Sequence, residues 1–134
     1  MPYSNQALAA AKRIAEDLGE SAQLLEVQAV LAGVALARGG TKNLERAHSE
    51  IEELANEILK APPTEQSHIL PLWMYLTCIR VLHVRSDPRA TQLIARSAAE
   101  LSARCEKIPD PALQIGFMNV PEHHAITAFA GALP

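Results

Sequence analysis

The five histidines are the side chains best suited to metal binding or to acid–base chemistry in this chain. His123 and His124 are adjacent, so on a helix they point in different directions and cannot chelate one ion as a pair. His48 and Glu52 have the i, i+4 spacing of two helical ligands, but no third ligand lies nearby in the sequence. We therefore expect solvated or capping histidines, no metal site and no cofactor.

Nucleophilic and phosphate-binding motifs are equally weak. The sequence contains neither a Gly-x-Ser-x-Gly elbow nor a His-Glu-x-x-His zinc motif. The Gly-Gly-Thr-Lys segment at 39–42 lacks the first glycine of a phosphate-binding loop and follows a helix instead of a strand. Cys78 and Cys105 lie in helices that we expect to be neighbours, where free thiols act as small apolar side chains. We expect no catalysis by this chain.

Trp73, Thr77, Arg80 and His83 form the strongest candidate for a binding surface. The predicted helix at 64–85 is apolar nearly all round, and helical spacing places the three polar residues on one stripe with Trp73. Tryptophan and arginine are enriched in interaction hot spots. The alternative is that Trp73 belongs to the core and Arg80 to a solvated edge, and both interpretations stay open at this point.

The elements that position these residues are predicted to be helices. Alanine and leucine supply most of the apolar residues, and both are strong helix formers. Asp87-Pro88 and Asp110-Pro111 each combine a capping aspartate with a proline at the first helical position, and Pro121 begins a last short helix. No segment alternates with the period of a strand. The sequence therefore predicts an all-α fold.

Length and charge exclude several classes of protein. The 134 residues suffice for one domain or a few repeat units, and the net charge of -3 argues against a nucleic-acid or anionic-membrane surface. Two cysteines do not make a disulfide framework, and the first residues lack the order of a signal peptide. The longest apolar stretch without charge is too short to span a bilayer. We expect a cytoplasmic protein.

The helices repeat with a period of about forty residues. The aligned sets are Ala7, Ala11, Ala15 and Leu18, then Ala47, Ile51, Ala55 and Ile58, then Ala90, Ile94, Ala98 and Leu101. The small residue at the head of each set lets two helices approach closely. A two-helix unit with this period is typical of an α-solenoid, and a single five-helix bundle is the alternative.

Two features resemble the tetratricopeptide repeat. A helix pair with alanine at the head of its second helix is similar to that motif, and Ala47 and Ala90 occupy the small position. The tail resembles the C-terminal end of tetratricopeptide-like regions in large bacterial signalling proteins, which are predicted ATPases fused to adenylate-cyclase or transcription-regulator domains. The matching segments are Ala-Ala-Glu-Leu at 98–101, Lys-Ile-Pro-Asp-Pro-Ala-Leu at 107–113 and Phe-Met-Asn-Val-Pro-Glu-His-His-Ala-Ile at 117–126.

The tail departs from the family's pattern in places. Gln114 and Ile115 replace its usual basic residues, and His124 replaces its arginine, so no role of those residues is carried over. The resemblance implies a right-handed superhelix of antiparallel helix pairs in a single domain over 1–134, closed by a C-terminal capping helix. Its parts are a half repeat at 4–19, repeats at 21–60 and 64–107, and a C-terminal cap at 110–130. The first helix of each pair then lines a concave groove, and the predicted partner-binding groove consists of Gln28, Arg38, Trp73, Thr77, Arg80 and His83.

The resemblance implies a protein–protein interaction or scaffolding module that forms the C-terminal part of a larger bacterial signalling or regulatory protein. The expected partner is another protein or another domain of the same polypeptide, not nucleic acid or a membrane, and a homodimer stays open. The alternative is a stand-alone helical small-molecule sensor or adaptor, with the apolar helix at 64–85 lining a pocket. An enzyme that uses His123 and His124 has the least support, since no acid–base pair stands out.

Overall fold

The fold is seen in a computed structural model, which describes residues 21–60 and 71–133 together with Gln6 and Ala9. The described residues form helices and no strand, which confirms the prediction of an all-α chain. The helices are α1 (Ser21–Arg38), α2 (Thr41–Lys60), α3 (Leu72–Val84), α4 (Arg89–Glu106), α5 (Pro111–Met118) and α6 (Pro121–Gly131). The predicted half repeat at 4–19 and the start of the predicted helix at 64–85 lie outside the described residues.

The chain divides into two compact units, Met1–Lys60 and Ala61–Pro134. In the first unit, α1 and α2 pack against each other as a helical hairpin. The two helices are joined by Gly39 and Gly40, whose φ angles of 72° and 89° favour glycine at both positions. The side-chain amide nitrogen of Asn43 donates to the carbonyl oxygen of Gly39 at 2.7 Å and closes the turn. The predicted helix end at this glycine pair is therefore confirmed.

The apolar face of α2 is the core of the first unit. Its buried residues are Ala47, Ile51, Leu54, Ala55 and Ile58. These positions recur every three or four residues, which is the period of one face of an amphipathic helix. Helix α1 contributes mostly small side chains, with Ala29, Ala32 and Ala35 buried and Leu31 and Leu36 only half-buried.

Ala47→Leu is expected to lower the free energy of unfolding by about 1–3 kcal/mol, because a fully buried alanine leaves no space for the added side chain. Urea unfolding of the purified chain measures this loss. Ala37→Leu is the matched control, since Ala37 is exposed on α1 and the same enlargement meets solvent there. Equal stability of the Ala47→Leu variant and the wild type would contradict close packing at this position.

The second unit begins with α3 and α4, which pack against each other across a short turn. Ser86 has a positive φ of 55°. Its backbone N–H donates to the carbonyl oxygen of His83, and the backbone N–H of Asp87 donates to the carbonyl oxygen of Leu82 at 2.9 Å. This is the Schellman pattern that ends a helix. The Asp87 carboxylate then accepts from the backbone N–H of Arg89 at 3.0 Å, which confirms the predicted capping aspartate.

The tail forms two short helices. The Asp110 carboxylate accepts from the backbone N–H of Ala112 at 2.8 Å and caps α5, in which Pro111 is the first residue. Pro121 begins α6 as predicted, and Ile126 is the one residue of α6 that is buried. Helix α6 packs against both α3 and α4, whereas α5 contacts only α4 and α6 among the described helices.

Candidate protein-interaction surface

Helix α3 is buried on most sides and accessible along one stripe. Its buried residues are Leu72, Met74, Tyr75, Leu76, Cys78, Ile79, Val81 and Leu82. The remaining five residues, which we call the α3 stripe, are Trp73, Thr77, Arg80, His83 and Val84. Trp73, Thr77 and Arg80 follow one another at three- and four-residue steps, and His83 and Val84 lie three and four residues after Arg80, so the five side chains share one face of the helix. The structure thus brings four of the six predicted groove residues together.

Trp73 and Thr77 form the half-buried end of the α3 stripe. The hydroxyl of Thr77 donates to the backbone carbonyl oxygen of Trp73 at 3.0 Å, so its hydrogen is used within the helix. The indole of Trp73 keeps part of its area accessible. A half-buried tryptophan loses little conformational entropy when a partner covers it, because the surrounding fold already restricts its rotamer.

Arg80 is exposed and forms no ion pair with any residue that the structure describes. Two other arginines of the second unit have carboxylate partners. Arg89 contacts Asp87 at 2.7 Å, and Arg104 contacts Glu100 at 2.8 Å. The guanidinium of Arg80, with its five N–H donors, therefore has no carboxylate partner within 21–60 and 71–133.

His83 and Val84 form the exposed end of the α3 stripe. The ring of His83 meets that of Phe129 edge-on, with centroids 5.3 Å apart, so this histidine also fastens α6 to α3. Val84 is the last residue of α3 and is 57% exposed. It was not among the predicted groove residues, although its position four residues after Arg80 is the signal that would have included it.

Gln28 and Arg38 belong to the first unit. Gln28 is only 8% exposed, and its amide nitrogen donates to a carboxylate oxygen of Glu53 at 3.4 Å. Its buried amide oxygen has no hydrogen-bond partner among the described residues. Arg38 is exposed in the last turn of α1, where a cation interacts favourably with the helix dipole. Their membership of one groove with the α3 stripe stays a prediction.

Two further histidines make structural contacts. His123 donates from Nδ1 to the backbone carbonyl oxygen of Phe117 at 2.6 Å, and its ring lies 4.3 Å from the ring of Phe117. It therefore caps the end of α5, as expected for a capping histidine. His48 lies 3.6 Å from Glu52 on α2. Within the described ranges 21–60 and 71–133, no three histidine, cysteine or acidic side chains are grouped to hold a metal ion.

Burial changes the proton affinity of two groups on α3. Burial raises the pKa of the Cys78 thiol to about 12, and the nearby Arg89 offsets only part of that shift. Burial also raises the pKa of the Tyr75 hydroxyl, and the charge of Glu100 adds to the effect. Cys78 is buried and Cys105 is half-buried, and both are free thiols. A thiol with such a high pKa is a poor nucleophile at neutral pH, so Cys78 serves as a core residue.

In the part of the chain that the structure describes, no helix combines the length and the apolar character that crossing a membrane requires. Comparison with protein-family models, with curated proteins and with solved structures finds no match to this chain.

Proposed function

We propose that this chain is a helical protein–protein interaction module that has no catalysis of its own and binds its partner through the α3 stripe. The observation that carries the proposal is that one face of a mostly buried helix presents both an accessible tryptophan, Trp73, and an exposed arginine, Arg80. Arg80 has no ion-pair partner among the described residues. Tryptophan and arginine are the residues that most often dominate binding energy at protein interfaces.

The stripe indicates the chemistry of the partner. Trp73 and Val84 offer apolar area, and Arg80 lies between them along the helix. A complementary partner carries an aliphatic or aromatic side chain on either side of an aspartate or glutamate. A helix with this pattern, or an extended segment, presents such side chains at matching intervals. The proposed partner is therefore an acidic, amphipathic segment of another protein or of a domain linked to this one.

The proposal includes the tetratricopeptide-like superhelix and a place in a larger bacterial regulatory protein. The pairing of α1 with α2 and of α3 with α4 supports it, as does the burial of Ala47 in the second turn of α2 and of Ala90 in the first turn of α4. Small buried residues at these positions are what a close helix pair in each repeat needs. In this arrangement the attached ATPase or cyclase domain responds to a partner bound by the repeats.

Arg80→Ala is expected to weaken partner binding at least tenfold and to leave the melting temperature nearly unchanged, because the side chain is exposed. Peptides selected from a random display library against the purified chain provide the ligands, and calorimetry measures their affinity. We expect selected peptides to combine acidic and aromatic residues. Trp73→Ala should reduce their binding as well.

Arg85→Ala is the matched control, because Arg85 is an exposed arginine that follows α3 and lies off the stripe. If both arginine variants lost affinity equally, binding would depend on the net charge of the chain and not on a defined surface. A fall of several degrees in the melting temperature of Arg80→Ala would show that Arg80 is structural. If no peptide binds while a small molecule raises the melting temperature, the small-molecule sensor becomes the better proposal.

A further inference from the structure

The α3 stripe continues onto α6 at its exposed end. The ring of His83 meets the ring of Phe129 edge-on, with centroids 5.3 Å apart and an angle of 73° between the ring planes. His83 is exposed and Phe129 is half-buried, so both rings keep accessible area where α3 and α6 pack together. We call this ring pair the aromatic corner. The accessible surface therefore has aromatic groups on two sides of Arg80, with Trp73 before it and the aromatic corner after it.

The core holds Phe129 in this place. Ile126 is fully buried and lies one helical turn before Phe129, so the two side chains share one side of α6. Because Ile126 anchors α6, which packs against α3 and α4, the ring of Phe129 is already in position when a partner arrives. A side chain that its own fold has positioned loses little conformational entropy on binding.

The spacing of these contact points along α3 matches a second helix. At 1.5 Å per residue, Arg80 lies about 10.5 Å from Trp73 and about 4.5 Å from His83 along the helix axis. A partner helix that lies along α3 covers the same distances with an acidic residue that is about seven positions from one apolar residue and about three positions from another. Residues with these separations share one face of a helix.

An extended segment fits the same surface less well. The side chains of Trp73 and Arg80 offer only hydrogen-bond donors, and that of Val84 offers neither a donor nor an acceptor. The backbone N–H groups of an extended segment that turn toward this surface would lose water and find few acceptors. The described residues also include no strand whose edge could pair with such a segment. A helix avoids this cost because its backbone groups bond to one another.

We infer that the partner binds as an amphipathic α-helix that lies along the α3 stripe, places an acidic residue on Arg80 and packs an apolar side chain against the aromatic corner. This inference rests on the proposed function and adds to it the conformation of the partner and a contact on α6. Charge complementarity supports an acidic helix. The α3 stripe contains Arg80 and no acidic residue, and Arg85 follows it directly, although the chain as a whole has a net charge of -3.

Peptides of about 16 residues, selected from a random display library against the purified chain, test the inference because a helix of that length spans the surface. We expect the Cα chemical shifts of an isotope-labelled peptide to become helical in the complex. A crosslink between two side chains four positions apart on the outer face of the peptide should raise its affinity about tenfold, because it holds the free peptide helical. A proline in the middle of the peptide should lower the affinity about tenfold.

Phe129→Ala is expected to weaken peptide binding about tenfold, because it removes one of the two rings of the aromatic corner. Phe117→Ala is the matched control, since Phe117 is also a half-buried phenylalanine beside a histidine ring but lies on α5. The control should leave the affinity unchanged. Intermolecular nuclear Overhauser effects between the bound peptide and the Phe129 ring of the wild type give a readout that does not depend on the stability of either variant.

The outcomes separate this inference from the proposed function. Peptides that need Arg80 but bind in an extended conformation would overturn the inference and leave the proposed function standing. The absence of any contact between the peptide and the Phe129 ring would do the same, and so would an equal loss of affinity in Phe117→Ala and Phe129→Ala. If no peptide binds, or if Arg80→Ala leaves the affinity unchanged, the proposed function fails and the inference fails with it.

Discussion

In the Ile126→Ala variant, the free energy of unfolding is expected to fall by about 2–5 kcal/mol. Ile126 is fully buried and is the only residue of α6 in the core, while α6 packs against both α3 and α4. Removing its three outer carbon atoms leaves a cavity where the three helices meet. The edge-on contact between the rings of Phe129 and His83, which also joins α6 to α3, is too weak to compensate. Urea unfolding followed by circular dichroism measures the loss.

The same substitution at Ile115 is the control. Ile115 is largely exposed on α5, so Ile115→Ala removes the same atoms without forming a cavity and slightly favours the helix. Both variants are compared at low protein concentration, so that self-association does not contribute to the unfolding free energy. If Ile126→Ala cost no more than Ile115→Ala, α6 would not be anchored through Ile126.

The second large effect is a loss of stability at alkaline pH caused by Cys78. Burial raises the pKa of its thiol from the ordinary value of 9.0 to about 12 in the folded chain. Above pH 9 the unfolded chain therefore releases the proton while the folded chain retains it. The contribution of the buried thiol to the free energy of unfolding is fully present below about pH 9. It is lost as the pH rises toward 12, by about 1.4 kcal/mol for each pH unit. The total loss of unfolding free energy between pH 9 and pH 12 is on the order of 4 kcal/mol.

Urea unfolding of the wild type and of Cys78→Ala between pH 7 and pH 11, under reducing conditions, isolates this effect. The raised pKa of Tyr75 destabilises the folded chain at high pH in the same direction, and because the charge of Cys78 contributes to that shift, the effect is smaller in Cys78→Ala and adds to the same difference. We expect the wild type to lose stability more steeply than the variant above pH 9. Parallel curves would mean that water reaches the Cys78 thiol in the folded state.

Much of the helical layout could be predicted because its signals are local. A glycine pair with positive φ angles ends α1, and the aspartate–proline steps at 87–88 and 110–111 cap α4 and α5 through contacts only two residues long. The buried face of α2 follows directly from the spacing of its apolar residues. Each of these features depends on a few neighbouring residues, so it can be inferred without knowledge of the tertiary fold.

The orientation of α5 and the burial of Gln28 could not be predicted in the same way. A pattern argument places Leu113 inward and Gln114 outward, but the carbonyl oxygens of Cys105 and Ile108, at and just after the end of α4, accept from the Gln114 amide and draw it inward. Gln28 reaches the carboxylate of Glu53, which lies 25 residues further along the chain. These outcomes depend on which groups meet after the helices pack, and single-helix patterns contain no such information.

The left-handed backbone of Ser86 restricts how this region can evolve. Glycine, asparagine and aspartate adopt a φ near +55° at low cost, whereas β-branched residues do not. Substitution of Ser86 by one of these three residues is therefore expected to keep the turn, whereas valine, isoleucine or threonine strains it. The following aspartate is similarly restricted, because its carboxylate caps α4. Two adjacent positions of this turn, 86 and 87, are thus expected to tolerate far fewer substitutions than the exposed positions of the helices on either side.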